Sequence, residues 1–382
     1  MMYASWACVL SKHLDMNHRT LRISSGIVLI ILACMSMIAF VIQTPRTPEE
    51  NLIELGRQLY FDKSLSEPNG QSCTVCHAPK TAFSDPDHAI VSEGMLDGAF
   101  VSRNGQSLTY ASFIPERSIV NGEYHGGLFW DGRSNTLEDQ LSGPFFNHAE
   151  MNNPDTATLI RDFLIAPYFG LYEQCFGKHV NNTTTYQNIC KAISAFERSA
   201  FLNEFSSKFD LSLAGVVELN PDEKKGMELF KGKGRCVNCH SMDPDPSTGK
   251  ILFTNFKYYN LGIPRNEQNP FYSTFTDINP KGKNAVDLGL GAVLKDSAQD
   301  GKFRVPTLRN VQYTKPYFHN GYAPTLREAV HFINHRDLDT TWIPEVNRNV
   351  AHQWTGSLHL TPEEEEYIVQ FLFTLTDGYE EE

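Results

Sequence analysis

Two stretches of one spelling, Cys73-Thr74-Val75-Cys76-His77 and Cys236-Val237-Asn238-Cys239-His240, constrain this chain more than anything else in it. In each, two thiols three positions apart can add across the vinyl groups of a haem while the adjoining histidine offers its imidazole to the iron, which is the attachment signature of a c-type haem. Zinc ribbons also use paired Cys-x-x-Cys, but they place the second pair roughly 15 to 20 residues after the first. Here the pairs are much farther apart and each carries its own histidine. The chain is therefore read as a housing for two covalently bound haem c groups, with His77 and His240 as iron ligands.

Each motif follows a helical pattern. Leu52, Leu55, Gly56, Leu59 and Tyr60 recur at helical spacing and end at Phe61-Asp62, within a dozen residues of the first motif. Before the second, Asn220-Pro221-Asp222-Glu223 supplies an N-cap, a proline at the first helical position and a glutamate three residues after the cap, and Met227, Leu229 and Phe230 continue toward Cys236. The repeated order of helix, turn and CxxCH reads as an internal duplication. A capped helix from Thr361-Pro362-Glu363-Glu364, with a stripe of Ile368, Phe371, Leu372 and Leu375, closes the chain. Between Ala78 and Glu123 lies a Gly-, Pro-, Asp- and Ser-rich stretch too long for a plain connection, hence a pocket-forming loop. No strand pattern of any length competes, so the expected class is mainly α and loop-rich. Two cytochrome c-like haem domains stand in tandem, residues 46–205 and 206–382, after an N-terminal segment of residues 1–45.

That segment gives an address. Gly26 to Ile42 is an apolar stretch of about 17 residues preceded by Arg19 and Arg22, the pattern of a cleaved signal or a retained membrane anchor, and both readings stay open. Met16 is an alternative start. Export to the periplasm fits the cysteines: Cys8 and Cys34 lie in this segment, four serve the motifs, and Cys175 and Cys190 are left to form a disulfide. Lys plus Arg number 33 against 45 Asp plus Glu, and the net charge of −12 argues against a nucleic-acid partner while allowing a basic redox partner.

From about Leu55 to Leu375 the chain resembles the bacterial di-haem cytochrome c peroxidase and MauG family. The blocks that carry the resemblance come in the family's order: Leu59-Tyr60-Phe61-Asp62, Phe129-Trp130-Asp131-Gly132-Arg133, Gln140 through Pro144, Glu150-Met151, Ala195-Phe196-Glu197-Arg198, Arg304 through Asn310, and Pro316-Tyr317-Phe318-His319-Asn320-Gly321. The resemblance implies that the first haem is peroxidatic, with Glu150 the acid-base group and Gln140 and Pro144 shaping the same pocket. It implies that Trp130 bridges electron transfer from the second haem. A calcium ion between the domains would be held at Asn104, Thr314 and Pro316, by oxygen donors that suit a hard cation.

The resemblance breaks at the distal ligands. Where the family places a methionine or tyrosine for the second haem, on the helix beginning at Thr325-Leu326, counting lands on Ile333, which cannot bind iron; His331 and His335 flank it. Either one of them ligates, with His335 the better placed, or the iron is five-coordinate. For the first haem, Gly94-Met95 stands where some members carry a distal histidine; Met95 binds reversibly or the position is open, and His88 is a lesser candidate.

The reading that follows is a di-haem peroxidase reducing hydrogen peroxide with electrons from a small cytochrome c or cupredoxin, with family members often homodimeric. The alternatives are a MauG-like oxidase acting on a partner protein, against which Ile333 counts, and a non-catalytic di-haem electron carrier, against which Gln140, Pro144 and Glu150 count.

Overall fold

The computed structural model describes residues 45–380 apart from residue 247. The expected signal or anchor falls on residues 1–44, outside the described residues, and no helix among the described residues is long and apolar enough to cross a membrane. The architecture is mainly helical and rich in loops, as expected. Its seven principal helices are α1 (Pro48–Phe61), α2 (Thr156–Phe163), α3 (Phe169–Phe176), α4 (Asn182–Glu197), α5 (Pro221–Lys231), α6 (Leu326–His335) and α7 (Pro362–Phe373). Among the described residues, strands are limited to two antiparallel ribbons: β1 (Ser118–Val120) pairs with β2 (Glu123–His125), and β3 (Tyr258–Tyr259) with β4 (Phe303–Arg304).

Local chemistry sets the helix starts. Asn220 and Thr361 each accept a backbone N–H from the glutamate three residues on, whose side chain returns the bond, and Thr325 with Glu328 does the same for α6. Asp155 and Asn181 cap α2 and α4.

The duplication is visible in how the helices touch. A β-carbon on Gly56 of α1 would overlap the carbonyl oxygen of Ala192 on α4 and approach Phe196 Cβ to 2.9 Å. One on Gly226 of α5 would overlap the carbonyl oxygen of Tyr367 on α7 and approach Phe371 Cβ to 2.8 Å. In both halves the helix ahead of the motif crosses its partner at a bare glycine, over a carbonyl and an aromatic one turn farther on. Burial follows: one hydrophobic cluster draws on residues 55–202 and another on residues 209–375. From Pro48 onward the chain is one compact unit.

The disulfide expected between Cys175 and Cys190 is not formed. Both are free thiols, and Cys190 on α4 is enclosed in the first hydrophobic cluster, where burial pushes its thiol up to about 12.

Candidate haem cavity and active site

Each motif opens on a single 3-10 turn, Cys73–Val75 and Cys236–Asn238, that brings its histidine back over its first cysteine: His77 N donates to Cys73 O at 2.9 Å, and His240 N to Cys236 O at 2.8 Å. Both imidazoles are then oriented the same way. His77 Nδ1 meets the Phe83 carbonyl at 3.1 Å and His240 Nδ1 the Phe253 carbonyl at 3.0 Å, which makes Nδ1 the protonated nitrogen and leaves Nε2 as the free base. Phe83 and Phe253 both sit at positive φ, 55° and 53°, a backbone strain repeated at the same structural place. Loss of bulk solvent lowers both imidazole pKa values, against the raising effect of those carbonyls, and His240 falls to about 4. A neutral imidazole at neutral pH is the form that binds iron. Tyr60 anchors the first motif to α1 by donating its hydroxyl to His77 O at 2.6 Å.

Both motifs line one cavity of about 760 Å³. Its walls include Leu108, Leu128, Leu137 and Leu141 on one side and Leu308, Leu326, Ile368 and Leu372 on the other. The residues fit haem on three observations of the chain itself: apolar walls, two histidines with oriented and deprotonated Nε2, and paired cysteines next to them. Burial pushes Cys73, Cys76, Cys236 and Cys239 up to about 12, so all four are neutral thiols.

Gln140, Pro144 and Glu150, ten residues apart in sequence, line the same cavity as His77. Gln140 ends the short helix Leu137–Gln140, capped by Thr136, and Pro144 lies in Ser142–Phe146. A tight turn then presents Glu150: its N–H donates to Asn147 O at 2.9 Å, Asn147 Oδ1 accepts from Ala149 N at 2.9 Å, and Asn147 Nδ2 donates to Glu150 Oε1 at 2.6 Å. Burial raises the carboxyl pKa, opposed by the Asn147 amide and the Arg133 charge. Arg133 also lines the cavity, stacked 3.4 Å from the Phe129 ring centroid and held by Asp131.

The loop beyond the first motif plays a different part from the one expected. Met95 does not line the cavity; its side chain lies against Gly70, with Ser66 Oγ 3.5 Å from its sulfur. What reaches the site is backbone. Met95 N donates to Glu150 O at 2.8 Å, and a β-carbon on Gly94 would overlap the Ala149 carbonyl, so this loop braces the Glu150 turn from outside. His88 turns away to the Lys315 carbonyl at 3.3 Å.

At the second motif, α6 presents Ile333 to the cavity together with Leu326, Ala329 and Val330. His331 and His335 lie on another face of the helix, with Nδ1 atoms 3.1 and 3.3 Å from Glu365 Oε1 on α7. Of the two alternatives, ligation by His331 or His335 or a five-coordinate iron, this arrangement favours the second, since neither histidine lines the cavity: helical periodicity that turns Ile333 inward turns its neighbours at minus and plus two residues away.

Trp130 stands between residues from both halves. Its Nε1 donates to Asn104 O at 2.9 Å and its carbonyl accepts from Arg304 N at 2.8 Å, while Asn104 N donates to His319 O at 2.8 Å. Asn104, Thr314 and Pro316 all line the cavity, and the Asn104 amide donates to the Ala89 and Ile90 carbonyls. The sequence reading missed a buried ion network beside the tryptophan. Arg103 binds Asp131 at 2.6 Å and Asp287 at 2.6 and 2.8 Å, and the guanidinium holds Asp287 far below the usual carboxylate range. His319 stacks on Phe303 at 3.7 Å, and burial drives its pKa down to about 4. Asp131 and His319 stand in the recognised blocks; Asp287 carries no signal of its own.

A family model described as di-haem cytochrome c peroxidase matches residues 50–218. Methylamine utilization protein MauG of Paracoccus denitrificans is 34% identical over 375 residues, covering 91% of this chain and 95% of that protein. Cytochrome c551 peroxidase of Nitrosomonas europaea is 30% identical, with 80% of each chain covered. Among solved structures, the diheme peroxidase BthA from Burkholderia thailandensis superposes with a TM-score of 0.75 at 30% identity, covering 87% of this chain and 89% of that one.

Proposed function

The chain belongs to the di-haem cytochrome c peroxidase family and is an oxidoreductase with haem as cofactor, and on that premise we propose that it reduces hydrogen peroxide to water. Two electrons and two protons convert one peroxide into two waters. The electrons come from a small cytochrome c or cupredoxin and pass from the C-terminal to the N-terminal haem. The observation that carries this reading is the convergence of Gln140, Pro144 and Glu150 on the cavity that holds His77.

The four motif cysteines would hold two haem groups, with His77 and His240 as iron ligands, and haem would supply the redox chemistry. The rest falls to side chains. Glu150 moves a proton from the near to the far peroxide oxygen, and burial raises its pKa above the ordinary carboxylate value, in the direction that favours holding a proton. Asn147 fixes Oε1 and so aims the carboxyl. Gln140 and Pro144 shape the pocket around it. Trp130, tied to Asn104 and Arg304, bridges the two halves. A calcium ion at Asn104, Thr314 and Pro316 would brace that bridge through oxygen donors. The division at residue 205/206, a periplasmic location and a homodimer complete the proposal.

A second reading, oxidation of a partner protein, is favoured by the 34% identity to MauG across nearly the whole chain. Ile333 weighs against it, because an aliphatic side chain cannot ligate and stabilise an oxidised second iron. Steady-state oxidation of a reduced small cytochrome c by the holoprotein, with and without hydrogen peroxide, separates the readings. Peroxide-dependent turnover supports the peroxidase; peroxide consumption without donor turnover removes it.

A further inference from the structure

The residues set aside from iron ligation form a cluster of their own. His331 and His335, four apart on α6, share one face with ring centroids 4.3 Å apart, and α7 brings Glu365 against them. Glu365 Oε1 lies 3.1 Å from His331 Nδ1 and 3.3 Å from His335 Nδ1. Asn334 Nδ2, one residue from His335, donates to the same oxygen at 2.6 Å and fixes it in place.

We propose that His331, His335 and Glu365 form a divalent transition-metal site, taking zinc or copper(II), separate from the haem cavity. Nitrogen and oxygen ligands sit about 2.0–2.2 Å from zinc, so neighbouring ligand atoms of a tetrahedral ion are roughly 3.3 Å apart. The two observed separations match that value before any ion binds, and each residue offers one ligand atom within 4.8 Å of the others. An ordinary ion pair does not account for the whole arrangement. His335 Nδ1 is sealed from solvent and faces the carboxylate without forming a hydrogen bond, a donor atom oriented but unused. The carboxylate side chain is 6% exposed, whereas the His331 side chain is 49% exposed, which gives an ion a way in and leaves a fourth position to water. Asp339, at the surface, adds negative charge near both imidazoles. Two imidazoles with one carboxylate suit borderline cations, with copper(II) above zinc in affinity. An ion here would tie α6, which presents Ile333 to the cavity, to α7, which presents Ile368.

The test is calorimetric titration of the chelator-treated, dialysed holoprotein with zinc, alongside His331→Ala/His335→Ala and the single exposed-site variant His331→Asn. One saturable site is expected, weakened at least tenfold in both variants while their haem spectra match the parent. Should the double variant fail to retain haem, His331→Asn decides alone. Equal zinc affinity in parent and His331→Asn, or no saturable binding by the parent, overturns the site and leaves a hydrogen-bonded His–Glu cluster. Haem spectra and peroxide turnover are read separately, so loss of the zinc site and failure of the peroxidase reading are distinguishable.

Discussion

Asn147 Nδ2 donates to Glu150 Oε1 across 2.6 Å, within a turn whose backbone also closes between the same two residues. The Glu150 carboxyl is thus positioned by its own loop and braced from behind by Met95 N. Glu150→Gln is expected to lower peroxide turnover by about two orders of magnitude or more, the scale of a general acid-base group, with both haems attached and spectrally normal. Asn147→Ala should cost less, about tenfold, because the carboxyl remains but is no longer aimed. Stopped-flow peroxide reduction checks both; equal rates in all three proteins contradict the assignment.

Trp130 holds Asn104 and Arg304 by hydrogen bonds from opposite ends. Trp130→Phe removes the indole N–H and shortens the aromatic path. Inter-haem electron transfer in pre-steady-state kinetics should slow, with peroxide binding unchanged. An unchanged transfer rate would show that electrons take another route.

The bare crossings at Gly56 and Gly226 leave no room for a methyl group. Gly56→Ala and Gly226→Ala should each destabilise by about 1–3 kcal/mol, the usual cost of overpacking. Each should act through its own half, and denaturant unfolding monitored at each haem is the measurement. Wild-type stability in either variant would mean that the helices separate without cost.

Glu197 on α4 is buried, and Oε2 has no hydrogen-bond partner. Burial, with a smaller push from Glu138 and against the pull of Arg198, raises its pKa to about 8. A carboxyl whose folded pKa lies above the unfolded value near 4.3 makes the folded state bind its proton more tightly. Its contribution is therefore full below about pH 4 and is lost as pH rises to about 8. Glu197→Gln should flatten the decline in unfolding free energy between those limits; parallel curves for the two proteins would refute the burial account.

The periodic and capped elements were legible because their signals are local. Leu55, Gly56, Leu59 and Tyr60 are buried on α1 as their spacing indicates, and the Asn220 and Thr361 capping boxes form as read. The convergence of Gln140, Pro144 and Glu150 was legible only through the family resemblance, since nothing in their spacing specifies a shared wall. The choice between ligation by His331 or His335 and a five-coordinate iron stayed open in the sequence because a residue count cannot tell which helix face meets the cavity; that is decided by Glu365 and Ile368 on α7, thirty or more residues away. The part played by Met95 stayed open for a related reason: its backbone, not its thioether, reaches Glu150. The Arg103–Asp287 pair joins residues 184 apart in sequence, a contact that only the folded chain reveals.

Hydrogen peroxide titration of the ferric and half-reduced holoprotein, followed by visible and EPR spectroscopy and then by turnover with a reduced small cytochrome c, tests the central claim most directly. The account predicts a high-spin, five-coordinate signal that disappears on adding peroxide, and catalytic oxidation of two one-electron donors per peroxide. Two haems that stay low-spin in every redox state and do not react with peroxide would contradict it.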